Sequence, residues 1–285
     1  MNRLENGNID ITIKIPWDMV KETYEHVLSH IVEEAELPGF RKGKAPRATV
    51  EEKLDKNKTY EEVIKDLLPR VYADAVKALA IKPIVSPNVQ LLEAKEGDSW
   101  VFLATTAEKP TVNFTDYQKA IRDMKNEKRT KIWVPGQTEE KNPPSGGEKE
   151  DKGPTLDELL TALLSATKCT IPPVLLEQEV TKLLSDLIDQ TKKLGMTVEG
   201  YLSATGRTTE SIHKEYEEQA RRTLTLEFAI ESIADEQKIE ITDEAVKKVI
   251  DGAKTEEEKK TLSGNTYYLA SILRRQETIH YLAEL

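Results

Sequence analysis

The chain has 285 residues, of which 38% are hydrophobic, 6% aromatic and 32% charged. That length suffices for two domains, and the composition is too polar for one large sheet-centred enzyme core, so two or three modest, mostly helical units are expected. A formal net charge of −10 excludes a protein that coats nucleic acid through its overall field, leaving only local basic contacts.

The single cysteine, Cys169, can form neither an internal disulfide nor a Cys-rich metal site, and the cytosol is the default compartment. The stretch Met1 to Gly7 has no apolar core, and no run of about 18 uncharged apolar residues occurs, so neither signal peptide nor membrane span is expected.

In chain order, Ile9, Ile11, Ile13 and Ile15 alternate strictly and predict a half-buried strand over 8–15, ended by Pro16. Trp17, Val20, Tyr24, Val27, Ile31 and Ala35 then recur every three or four residues, an amphipathic helix over about 18–36. Two Pro and two Gly within Leu37 to Pro46 forbid continuous helix and mark a loop. Pro46 opens a short helix reaching Leu54. A second amphipathic helix spans about 59–79, with Pro69 as an expected kink. Val89 to Ala94 and Ser99 to Ala107 flank a Gly-containing turn and read as a hairpin. The first hundred or so residues are thus an α+β unit, with helices packed on a small antiparallel sheet.

The signal weakens after Pro110. Thr115 to Arg129 reads as a charged helix and Lys131 to Val134 as a short extended piece. From Pro135 to Pro154 no aliphatic or aromatic residue longer than alanine occurs, a composition that cannot offset its ordering entropy and reads as linker. Beyond it the chain reads as helical almost throughout, with helices at 156–164, at 174–194 ended by Gly195, around Tyr201, from the Thr208–Thr209 cap onward, at 243–250 and at 266–285. The expected domains are 1–114, a linker region at 115–154, and an all-α unit at 155–285.

The sharpest local feature is the loop Gly39 to Pro46. From Leu37 to Val50 lie four cations, Arg41, Lys42, Lys44 and Arg47, and no acid. Phe40 beside Arg41 and Lys42 is the composition of a small docking hot spot for carboxylates or phosphates. A solvated basic turn is the competing reading. A nucleotide-binding loop is not supported, because Gly39 and Gly43-Lys44-Ala45 are one residue short of that spacing and alanine replaces the magnesium-binding hydroxyl.

Gly39-Phe40-Arg41-Lys42-Gly43-Lys44-Ala45-Pro46 resembles the ribosome-docking signature of the trigger factor family of bacterial chaperones. The order β-α-loop-α-α-β-β resembles that family's ribosome-binding domain. Ile171 to Glu179, Leu194 to Leu202 and Ile239 to Glu244 resemble its helical chaperone domain. The resemblance implies that Phe40, Arg41 and Lys42 contact a ribosomal protein and neighbouring rRNA, that Gly39, Gly43 and Pro46 shape the loop, and that Lys44 belongs to the same surface. It also implies nascent polypeptides as clients, no cofactor, no membrane partner, and self-association as a homodimer off the ribosome.

The family usually carries an FKBP-like prolyl isomerase domain between these halves, needing on the order of a hundred residues. Between Thr115 and Pro154 only Tyr117 and Trp133 are aromatic, so the expectation is an ATP-independent holdase with no isomerase site and no catalytic residue. The alternatives are a trigger factor that retains isomerase activity and a helical adaptor for another acidic partner.

Other candidates are weaker. His26 and His30 stand four apart on one helix but lack the glutamate of a zinc-protease motif and an evident third ligand, so no metal is expected. Cys169 has no neighbouring histidine to act as its base and reads as an inert side chain. Glu256-Glu257-Glu258-Lys259-Lys260 reads as a solvated helix face. Leu183, Leu187, Leu224, Phe228, Tyr267 and Leu269 fit either a core or a client-binding cradle, with core favoured.

Overall fold

The computed structural model of the chain describes residues 1–36, 38, 40–130, 155–253 and 255–285. The expected extended piece at 131–134, Trp133 and the expected linker lie outside the described residues. Two compact units result, one of residues 1–109 with 172–175, the other of 110–171 with 176–285.

The first unit contains β1 (Asn2–Arg3), β2 (Asn8–Ile15), α1 (Trp17–Glu34), α2 (Arg47–Lys53), α3 (Lys56–Ala78), β3 (Asn88–Glu93) and β4 (Trp100–Ala107). The sheet has the order β1-β2-β4-β3 with every neighbour antiparallel. Alternation along β2 sends Ile9, Ile11, Ile13 and Ile15 to one buried face. The register sets Ile15 opposite Trp100, Ile13 opposite Phe102 and Ile11 opposite Ala104, so both central strands present matched apolar residues to the same side.

Helices α1 and α3 cover that face through Val20, Val63 and Leu67. Trp100 meets the Tyr60 ring edge-on at 5.3 Å between centroids, a favoured geometry for the ring quadrupoles. Each fully buried side chain of the size of Ile15 or Phe102 contributes about 1.5–3 kcal/mol relative to exposure. Helix α3 runs through Pro69 as one element.

The second unit holds β5 (Val112–Phe114), α4 (Tyr117–Thr130), α5 (Leu156–Ser165), β6 (Thr167–Cys169), α6 (Pro173–Lys193), α7 (Val198–Thr205), α8 (Thr209–Glu236), α9 (Asp243–Asp251), α10 (Glu256–Gly264) and α11 (Thr266–Glu284), the first turn of α6 belonging to the other unit. Threonines open five of these helices, Thr155, Thr197, Thr208, Thr242 and Thr255, each accepting a backbone N–H with its hydroxyl. A cap of this kind satisfies one of the donors left orphaned in a first turn. Gly206 ends α7 in the left-handed conformation at φ 66°, as its place at the end of the apolar pattern predicts.

The core of this unit joins Tyr117 and Ile121 of α4, Leu159 and Leu163 of α5, Ala229 and Ile233 of α8, and Leu282 of α11. The weakly signalled helix after Pro110 is therefore a packed element of the helical unit. Beyond the linker region the chain is helical almost throughout, as expected, and the short β6 pairs antiparallel with β5, Val112 opposite Cys169 and Phe114 opposite Thr167. Cys169 sits in this ribbon. Among the described residues no helix is long and apolar enough to cross a membrane.

Candidate docking loop and the helical cavity

The loop between α1 and α2 is built from its base upward. Helix α1 ends with Ala35 as its cap in extended conformation. The Gly43 N–H donates to the Ala35 carbonyl at 3.1 Å, and the Lys44 N–H donates to the Arg41 carbonyl at 2.9 Å. Gly43 has φ 69°, and a Cβ placed on it would lie 2.5 Å from the Glu33 carbonyl oxygen. Only glycine combines that left-handed backbone with so close an approach. Ala45 in the loop and Val50 on α2 are buried. Pro46, at φ −57°, caps α2, and its carbonyl accepts from the Thr49 and Val50 N–H groups at 2.9 and 3.2 Å.

The four cations separate into two kinds. Arg47 hydrogen-bonds and ion-pairs with Glu25 on α1, and that hydrogen bond holds its guanidinium more firmly charged than usual. Among the described residues Arg41, Lys42 and Lys44 make no ion pair, and all three are exposed. Phe40 keeps 45% of its surface exposed beside them. The loop thus presents an aromatic ring and three free cations on a base tied to α1 by Gly43 and to α2 by Pro46. Gly39 lies outside the described residues. Arg47, counted with the others by composition, is a fastening of the loop and not part of its tip.

Two family models match the chain, one for the bacterial trigger factor protein over residues 1–132 and one for the bacterial trigger factor protein C-terminus over residues 148–282. The chain belongs to the trigger factor family. Curated trigger factors of Staphylococcus aureus, for example those of strains JH9 and Newman, are 32% identical over 108 residues, covering 38% of this chain and 25% of theirs. The chain therefore aligns with about a quarter of the length of those relatives. A solved structure described as "Promiscuous Substrate Recognition in Folding and Assembly Activities of the Trigger Factor Chaperone" shares the fold with a TM-score of 0.61, at 14% identity, over 99% of this chain and 98% of that one.

In this trigger factor family member the residues left open between core and cradle now divide. Leu187, Leu224, Phe228 and Leu269 are buried and Leu183 is half-buried, whereas Tyr267 is 89% exposed. Tyr267 lines a cavity of about 540 Å³ whose apolar wall includes Ile230, Ala234, Ile239 and Ile241. The Arg274 guanidinium holds that wall in place, donating to the Ile239 carbonyl and the Asp235 carboxylate at 2.7 Å each. Ile239 and Ile241 were missed as candidates, although their alternation around Glu240 marks an extended segment.

The remaining candidates do not assemble into chemistry. His26 and His30 are exposed, with ring centroids 4.8 Å apart, and no cluster of three or more metal-ligating side chains occurs among the described residues. Burial pushes the Cys169 thiol up from its ordinary value, which disfavours the reactive thiolate.

Proposed function

We propose that this trigger factor family member is a cytosolic, ribosome-docking, ATP-independent holdase for unfolded and nascent chains. The carrying observation is the loop tip, where Phe40, Arg41, Lys42 and Lys44 stand exposed while their neighbour Arg47 is consumed by Glu25. An exposed aromatic flanked by unpaired cations matches an acidic protein surface or an RNA backbone, and Gly43 and Pro46 fix its shape before binding. The ribosome near its nascent-chain exit, through a ribosomal protein and rRNA, is the partner with both chemistries.

Docking raises the local concentration of the chaperone where a chain emerges, so weak contacts in the helical unit become effective. Those contacts fall to the cavity at Tyr267, whose apolar wall suits side chains of many sequences. The working division is a ribosome-binding part at 1–114, a connecting region at 115–154 and a client-holding part at 155–285.

The chaperone acts without a prolyl isomerase step. The two family matches leave only residues 133–147 between them, far fewer than the roughly hundred residues of an independent domain with its own core. Residues 117–121 bury Tyr117 and Ile121 in the helical core, which removes them from any separate fold.

Co-sedimentation with bacterial ribosomes near physiological salt tests the docking reading. Wild type pellets with ribosomes, and the Phe40→Ala, Arg41→Ala, Lys42→Ala triple variant stays in the supernatant. Equal pelleting of the two overturns it. A proline-peptide exchange assay on the same preparations tests the absence of isomerase, and catalysed exchange overturns that part alone.

A further inference from the structure

A second cavity, of about 580 Å³, lies in the helical unit beside the β5–β6 ribbon and α8. It differs in charge from the cavity at Tyr267, which three glutamates and two arginines line beside its apolar wall. Among the described residues Lys168, Arg221 and Arg222 line it against one acid, Glu218, in a chain whose net charge is −10.

The ribbon explains how the polar side arises. Asn113 stands opposite Lys168 across the two strands. The alternation of a strand puts Thr111 on the same face as Asn113, and Thr170 on the same face as Lys168. All four line the cavity, while Val112 and Phe114, on the other face, pack into the helical core. Thr167 and Cys169, paired with Phe114 and Val112, also line the cavity, so the ribbon meets it along its edge as well as through the face that carries two hydroxyls, an amide and an ammonium.

The guanidiniums come from successive residues of α8. Arg221 meets Glu217 at 3.1 Å, and Arg222 meets Asp157 at 3.5 Å and the Thr161 hydroxyl at 3.2 Å. These are solvent-exposed pairs of the kind that contribute little, so an incoming dianion competes for the same donors with more charge.

We propose that this cavity binds a small phosphate-bearing molecule without an aromatic base. Lys168, Arg221 and Arg222 take the phosphoryl oxygens, a role suited to forked guanidinium donors, and Thr111, Asn113 and Thr170 take the hydroxyls of the attached group. The volume is in the range of small-molecule sites, and among the described residues no aromatic side chain lines the cavity for a base to stack on. The site is separate from the docking loop and does not depend on ribosome binding.

Ribose phosphate is titrated into the full chain at constant ionic strength, followed by calorimetry and phosphorus NMR, with inorganic phosphate and tetraglutamate in parallel. Saturable binding of ribose phosphate, tighter than inorganic phosphate, is the expected result. The Lys168→Ala, Arg222→Ala double variant weakens it roughly tenfold or more, the loss of two charge-assisted contacts. Asn113→Asp, which adds a carboxylate opposite Lys168 without removing a cation, weakens it in the same direction. Lys247→Ala, Lys248→Ala, an equal charge change on the exposed face of α9, leaves it unchanged. Absence of saturable binding, equal loss in the α9 variant, or tetraglutamate binding as tightly as ribose phosphate overturns the proposal, the last result assigning the cavity to acidic peptides.

Discussion

Gly43 lies so close to Glu33 that a Cβ would stand 2.5 Å from the Glu33 carbonyl oxygen, with φ at 69°. The obstacle is the backbone of α1, which cannot swing aside as a side chain can. Gly97, in the β3–β4 turn, has φ 88° and nothing within 4 Å of a Cβ. Comparing the two separates strain from collision. Gly97→Ala costs about 1 kcal/mol or more from the backbone alone, and Gly43→Ala costs more than Gly97→Ala. Urea unfolding of both variants measures the difference, and equal losses would remove the close approach as a reason for glycine at the loop base.

Buried and exposed apolar residues in the helical unit answer mutation differently. Leu163 is fully buried at the centre of its core, whereas Tyr267 is 89% exposed. Leu163→Ala lowers stability by about 2–5 kcal/mol through lost transfer energy and a cavity. Tyr267→Ala stays within about 0.5 kcal/mol of wild type but weakens the binding of unfolded clients. A Tyr267 variant that melts early would place this side chain in the core after all.

Glu108 carries an acid-side stability term. The Lys82 backbone N–H donates to its carboxylate at 2.7 Å and the Arg3 guanidinium at 2.6 Å, and these contacts, in that order, hold the carboxyl below its usual range. Because the folded state favours the ionised form, this stability is fully present above the unfolded carboxyl value. It is lost as pH falls through the depressed folded value. Wild type is therefore more stable than Glu108→Gln at neutral pH, and the gap closes in acid. A gap that is constant with pH would show that the contacts act without regard to charge.

Cys169 supplies a probe of the ribbon. Burial raises its thiol, so alkylation of the folded protein rises with pH along a curve displaced above that of a free thiol. Urea-unfolded chain reacts faster at the same neutral pH. Identical curves for folded and unfolded chain would mean that β6 does not shelter the sulfur.

The elements legible in the sequence were those that carry their own period. Four isoleucines two apart marked β2, and residues three and four apart marked α1, α3 and α8. Strands β5 and β6, three residues each, pair across more than fifty positions, and no local pattern reports a contact of that kind. The loop was legible as a basic turn, and its motif suggested the docking role proposed for it. That Arg47 is spent on Glu25 was not legible, because the partner is a full helix away and the ion pair is made by packing of α2 on α1.

The proposed docking tip contains two physical contributions that salt separates. Arg41 and Lys42 are exposed cations, so their attraction to an acidic or phosphate surface is screened, weakening as salt rises past physiological strength. Phe40 acts through desolvated apolar area, which salt does not screen. Arg41→Ala and Lys42→Ala therefore lower ribosome affinity and flatten its dependence on salt, by roughly one unit in the log–log slope for each cation that meets a phosphate. Phe40→Ala lowers affinity by a similar factor at every salt concentration. Arg47→Ala, which breaks the tie to Glu25, acts on the loop's shape and reduces affinity without changing the slope. Affinities measured across a salt series for the four single variants check this division. A Phe40 variant whose deficit vanishes at high salt would show that the ring only holds the cations in place.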